Sequence, residues 1–190
     1  MIVAGSAITL AGCSEGQNAT PESAPSGPPP AVSPIPPVTS NARDVAAMAR
    51  RPCELLTAQQ AKGFGLDLPP DQMEGLLGTL RCEWTATTRD RQTIRTVDVS
   101  MFTNNPTLET VYSRRQSYPF FELTEILGYP AIIKRTNADD PSCDIDIKPA
   151  EHQSVSVGYR SKEFNDNPQQ ACEINKQVAA AVLMNLPPKS

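Results

Sequence analysis

Four cysteines spread along the chain, Cys53, Cys82, Cys143 and Cys172, constrain its fold more than any other feature. An even set in an exported chain pairs into disulfides, whereas in a cytosolic chain it stays reduced or binds metal. The fifth cysteine decides between the two. Cys13 closes the run Leu10-Ala11-Gly12-Cys13, an apolar and two small residues before a thiol, set between an apolar segment and a polar, proline-rich one. This is the pattern of a bacterial lipobox. The Cys13 thiol is then expected to carry a diacylglycerol, with the bond before it cut. The protein is expected in the cell membrane, lipid-anchored and facing the outside of the cytoplasmic membrane.

Residues 1–13 therefore read as lipoprotein signal and lipobox. Their apolar core suits a signal peptide and falls short of the roughly 20 residues that a spanning helix needs. No Lys or Arg precedes Cys13, where a positive n-region belongs, which points to a start codon placed too late. Residues 14–43 hold eight prolines among Ser, Ala, Thr, Asn and Gly and no aromatic residue. Such a composition buries too little apolar surface to fold and reads as a disordered tether, at most roughly 90 Å long if extended at about 3.1 Å per residue.

Residues 44–190 remain as a single folded domain. They carry 16 Lys plus Arg against 19 Asp plus Glu, with no block of one sign. Nucleic acid is not an expected partner, because phosphate binding calls for a concentrated basic patch. The membrane is a partner through the lipid on Cys13; beyond it, an unknown small molecule, lipid or protein is expected.

Four cysteines allow three connectivities. Pairing Cys53 with Cys82 and Cys143 with Cys172 is favoured, since each bond closes a loop of about 30 residues and joins an expected helix to an expected strand. Each closure is worth roughly 3.5 kcal/mol on the chain-entropy account. The other two pairings stay open. A zinc site is the rival reading, and it lacks closely spaced Cys/His pairs, His152 being the one histidine. No metal and no cofactor is expected.

Thr57 and Gln60 form a capping-box pattern ahead of a short helix that Gly63 and Gly65 end. Residues 80–87 alternate Leu80, Cys82 and Trp84 onto one face, as a half-buried strand does, and residues 93–102 do the same with Val97, Val99 and Met101. Ile94 is out of phase there, which predicts a bulge. A helix is expected over 107–117, four short strands over 122–126, 131–135, 143–148 and 154–159, and a long helix over 168–186 with Ile174, Val178, Ala181 and Val182 at helical spacing. Strands at hairpin spacing bracketed by helices predict an α+β fold: a mainly antiparallel sheet packed with a few helices and stapled by two disulfides.

The cysteine contexts carry a further signal. Pro52-Cys53-Glu54-Leu55-Leu56-Thr57, Cys82-Glu83-Trp84, Gly128-Tyr129-Pro130-Ala131, Ser142-Cys143-Asp144-Ile145 and Ala171-Cys172, in this order behind a lipobox and a Pro/Ser tether, resemble the DUF3558 family of actinomycete lipoproteins. The resemblance implies a cell-envelope lipoprotein with two disulfides. It brings no catalytic or binding residues to carry over.

No catalytic set stands out. His152 lies in a polar turn with no nucleophile elbow elsewhere, and Asp139, Asp140, Asp144 and Asp146 lack calcium-loop spacing. The expected role is a non-enzymatic ligand-binding or accessory module. Its ligand site is expected where sheet meets helices, near Trp84, Tyr112, Phe120, Phe121 and Tyr129. The alternatives are an envelope hydrolase using paired carboxylates and a protein-interaction lipoprotein.

Overall fold

The computed structural model describes residues 34–38, 41–75, 78–104 and 107–190. Cys13, the lipobox and the tether up to residue 33 lie outside the described residues.

Two antiparallel meanders build one sheet. The first holds β1 (Asp71–Glu74), β2 (Leu80–Thr87) and β3 (Thr93–Phe102), and the second β4 (Phe120–Ile126), β5 (Tyr129–Arg135), β6 (Ser142–Ala150) and β7 (Gln153–Ser161). Their order is β1-β2-β3-β7-β6-β5-β4. The crossover from β3 carries α2 (Thr107–Ser113) to the far edge, so that β7 returns beside β3 and every neighbouring pair runs antiparallel. The α+β expectation holds.

Strand alternation puts Cys82, Trp84, Val97, Val99, Ile145 and Val157 on one face, all but fully buried. Helix α3 (Pro168–Asn185) covers it with Cys172, Val178, Val182 and Leu183. Pro168 starts that helix and Pro187-Pro188 prevents its continuation. Asn175 sits in its buried stripe at 0% exposure, where the side-chain amide donates to the Cys143 and Val157 carbonyls at 2.8 Å each. Cys53 bonds Cys82 and Cys143 bonds Cys172, the favoured pairing. One bond ties the turn Pro52–Leu55 to β2, the other ties β6 to α3.

The bulge foreseen at Ile94 is present: Ala86 faces Arg95 while Thr87 faces Thr93, leaving Ile94 as the extra residue. The break expected between residues 126 and 131 narrows to two residues. Leu127 and Gly128, with φ of 52° and 81°, make a two-residue hairpin turn of the type that matches strand twist, and Tyr129 already belongs to β5. Strand β1 had no sequence signal, since Met73 is its one apolar residue; its pairing with β2 creates it.

The boundary between tether and domain at residue 44 needs correction. Ile35 is buried against Leu108 and Ile132, the Val38 N–H donates to Glu151 Oε1 at 2.8 Å, and the Asn41 carbonyl accepts the Tyr129 hydroxyl. Arg43 bridges to Pro188, and its N–H donates to the Pro149 carbonyl at 2.9 Å. Composition described this stretch as unable to fold by itself, but a lone Ile and a few backbone donors suffice once a preformed sheet offers partners.

Candidate functional site

At the β1–β2 end of the sheet the covered face is incompletely filled. A cavity of about 570 Å³ opens there, within the range of small-molecule sites. Its floor is Trp84 beside Cys53; its walls are Leu56, Ala58 and Ala61 on one side and Leu66, Leu68, Pro69 and Pro70 on the other. Two charged residues, Lys62 and Asp67, stand at its rim.

Each wall is held from behind. Helix α1 (Ala58–Gly63) begins with the expected capping box, in which the Thr57 hydroxyl accepts from the Gln60 N–H and Gln60 Oε1 accepts from the Thr57 N–H. Asn185 at the end of α3 donates to Gln60 Oε1 at 2.7 Å and to the Leu55 carbonyl at 3.0 Å, fastening α1 to the long helix. The opposite loop is latched to β2: the N–H groups of Asp67 and Leu68 both reach the Thr85 carbonyl at 3.2 Å, and Asp67 Oδ1 accepts the Thr87 N–H at 3.3 Å. Gly65 turns the chain between the walls at φ 71°, and a Cβ there would lie 2.0 Å from the Arg95 guanidinium. That guanidinium caps the Phe64 carbonyl at 2.9 Å and pairs with Glu163. The positive φ favours glycine here, and a larger residue would also displace that guanidinium.

Of the five aromatic residues expected around a ligand, only Trp84 lines this cavity. The five do not converge. Tyr112 and Phe121 meet edge to face, 6.0 Å between centroids, on the opposite side of the sheet beneath α2. Phe120 and Tyr129 pack against the main core. Residues 120 and 121 are neighbours in one strand and must point to opposite faces, and α2 crosses behind the sheet, which no local pattern reveals. The wall residues Leu66, Leu68, Pro69 and Pro70 and the rim residue Lys62 escaped the sequence reading. Their signal was apolar residues without period just after Gly63 and Gly65.

The second face of the sheet is polar where α2 leaves it open. Register aligns Glu83, Asp98, Gly158, Asp144 and Lys134 in one row across β2, β3, β7, β6 and β5. Gly158 is the gap in that row, and the Asp98 carboxylate leans into it; a Cβ on residue 158 would lie 2.3 Å from Asp98 Oδ1. Burial, and then the Asp144 carboxylate, push the Asp98 pKa up to about 6. Burial raises Asp144 as well, against the pull of Lys134. Lys134 is bonded to the buried Asp146; burial disfavours its charge, but the carboxylates of Asp146 and Asp144 outweigh that and raise its pKa. A shallow cavity of about 440 Å³ beside this row is lined by Asp98, Arg81, Ser100 and Phe102 together with Glu74 and Gly75. Asp144 is not part of its lining.

The remaining candidates are scattered. Asp140 pairs with Arg160 at 2.8 Å, Asp139 sits in an exposed turn, and His152 is exposed in the β6–β7 hairpin with φ 60°. Among the described residues no group of three or more His, Cys, Asp or Glu side chains is placed to hold a metal ion. No helix among them is long and apolar enough to cross a membrane.

The sequence model of a family described as "Protein of unknown function (DUF3558)" matches residues 8–185. The chain belongs to this family. The match takes in both disulfides, the whole sheet and α3 to its last residue. No curated protein and no solved structure matches the chain.

Proposed function

We propose that this DUF3558 member is a lipid-anchored module of the cell envelope that binds, without transforming, a small ligand with an apolar part in the cavity over Trp84. The observation that carries the reading is the cavity itself. Both its walls are hydrogen-bonded to the sheet or to α3, so the apolar space is held open by structure independent of any occupant. Cys13 supplies the anchor.

Native mass spectrometry on protein gently extracted from its own membranes tests the binding, compared with the denatured mass. The expected result is an extra mass in the native spectrum, lost in Leu68→Glu, which places a charge on a wall residue already 43% exposed. A native mass equal to the lipidated, disulfide-bonded chain would count against the ligand. Cys13→Ala should release the protein from the membrane; a variant that stays bound would refute the anchor.

A further inference from the structure

We propose that the ligand of the Trp84 cavity is a free single-chain amphiphile with an anionic head, its acyl chain on the apolar walls and its head at Lys62. This rests on the reading of the cavity as a ligand site and adds the chemistry of its occupant.

Three observations set that chemistry. The cavity is half-open: Trp84 and Leu66 at its inner side are 1% and 3% exposed, while Leu68 at its mouth is 43% exposed. An occupant thus has one end in a dry apolar environment and the other in water, which describes an amphiphile. The rim carries one charge of each sign, and the two differ in commitment. The Asp67 carboxylate already accepts the Thr87 N–H and is drawn toward β2. Lys62 is exposed, and its side-chain ammonium has no hydrogen bond or ion pair among the described residues. The charge left to meet a headgroup is therefore positive. Finally, a single cavity of about 570 Å³, bounded by the Pro69-Pro70 loop and α1, has room for one chain.

The chain has a single tryptophan, so Trp84 emission reports on the cavity alone. The experiment uses the full chain released from the membrane by Cys13→Ala, titrated with decanoate, decanol and decyltrimethylammonium below their micellar concentrations. Decanoate should bind most tightly and the cationic analogue least. Extending the carboxylate to dodecanoate should tighten binding up to about fourfold per added methylene that becomes buried. Lys62→Met, at an exposed position, should weaken decanoate about tenfold and leave decanol unchanged, with an unaltered thermal midpoint as the folding control.

Equal binding of decanoate and decanol, or an unchanged decanoate affinity in Lys62→Met, would overturn the anionic-head inference while leaving the cavity a ligand site. If none of the three probes alters Trp84 emission, the ligand-site reading falls with it. Emission that responds to protein concentration instead would assign the cavity to a second copy of the chain and overturn the amphiphile.

Discussion

The two faces of the sheet hold their strands together by different means. The face under α3 is apolar and disulfide-bonded: Val97, Val99, Ile145, Ile147, Val155 and Val157 are 0% exposed, and Cys143–Cys172 ties the helix down onto them. The opposite face carries a row of carboxylates and a buried Lys134–Asp146 pair, and burial holds both Asp98 and Asp144 away from their ordinary ionisation. The first face stabilises the fold by excluding water. The second carries a cost that the first must cover, since partly buried like charges oppose folding when ionised. A surface that is costly to keep charged is tolerated only on a scaffold with stability to spare.

The largest effect should come from removing the staple on the apolar face. Cys143→Ala with Cys172→Ala should lower the free energy of unfolding by about 3.5 kcal/mol in urea titrations, because it frees a loop spanning a sequence separation of 29. The matched pair Cys53→Ala with Cys82→Ala frees a loop of the same separation. It should lose about as much and in addition disturb the Trp84 emission, since Cys53 lines the cavity. Equal loss in both with no change in emission would separate the cavity from the staple.

Asn175→Ala tests the polar group set into the apolar face. Two strand carbonyls would lose their donor in a dry site, and the cost should be about 2 kcal/mol by the same titration. A neutral outcome would mean that water reaches β6 and β7 behind α3, and the contrast between the faces would then fail.

Asp98→Asn should act in the opposite direction. The folded-state pKa is raised from 3.8 to about 6, so the folded protein holds the proton more tightly than the unfolded chain does. The contribution of Asp98 to stability is thus full below pH 4 and is lost as pH rises through about 6. Asn cannot ionise, and the variant should be more stable than the parent by up to about 2 kcal/mol at pH 7 after allowance for partial solvent exposure. Its advantage should fade as pH falls from 6 to 4, and thermal unfolding across that range reads it. A constant difference at every pH would show that packing, not charge, separates Asp98 from Asn.

The smallest effect lies outside both faces. Leu127→Asn places a residue that tolerates positive φ in the β4–β5 turn, where Leu127 is 58% exposed at φ 52°. It should raise stability by about 0.5 kcal/mol, seen as a small rise in the thermal midpoint.

Local pattern made most of the sheet legible. The alternation in β2 and β3, the capping box of α1, the long apolar stripe of α3 and the bulge at Ile94 all follow from side-chain period, which depends on near neighbours in the chain. Strand β1 was illegible because a single apolar residue, Met73, shows no alternation and the strand exists by pairing. The described residues 34–38 and 41–43 were misplaced because their anchor points, Glu151, Tyr129 and Pro188, lie 88 to 145 positions away.

The candidate site divides the same way. Trp84 was readable as an apolar residue beside a cysteine, but its cavity depends on a loop of Leu66, Leu68, Pro69 and Pro70 that has no period. The carboxylate row needed the register of five strands: Asp98 and Asp144 are 46 residues apart in sequence and adjoin Gly158 from either side only after β7 returns between β3 and β6.

The class of fold, a disulfide-stapled antiparallel sheet with a closing helix, follows from the order of residues along the chain, because burial pattern and capping act over a few residues. The family follows from that order as well. Which aromatic residues share a surface, where the tether meets the domain, and which charges face one another were decided by tertiary structure alone. Those relations depend on strand order and crossover, and two chains with the same local patterns can thread a sheet in different orders, bringing different side chains together.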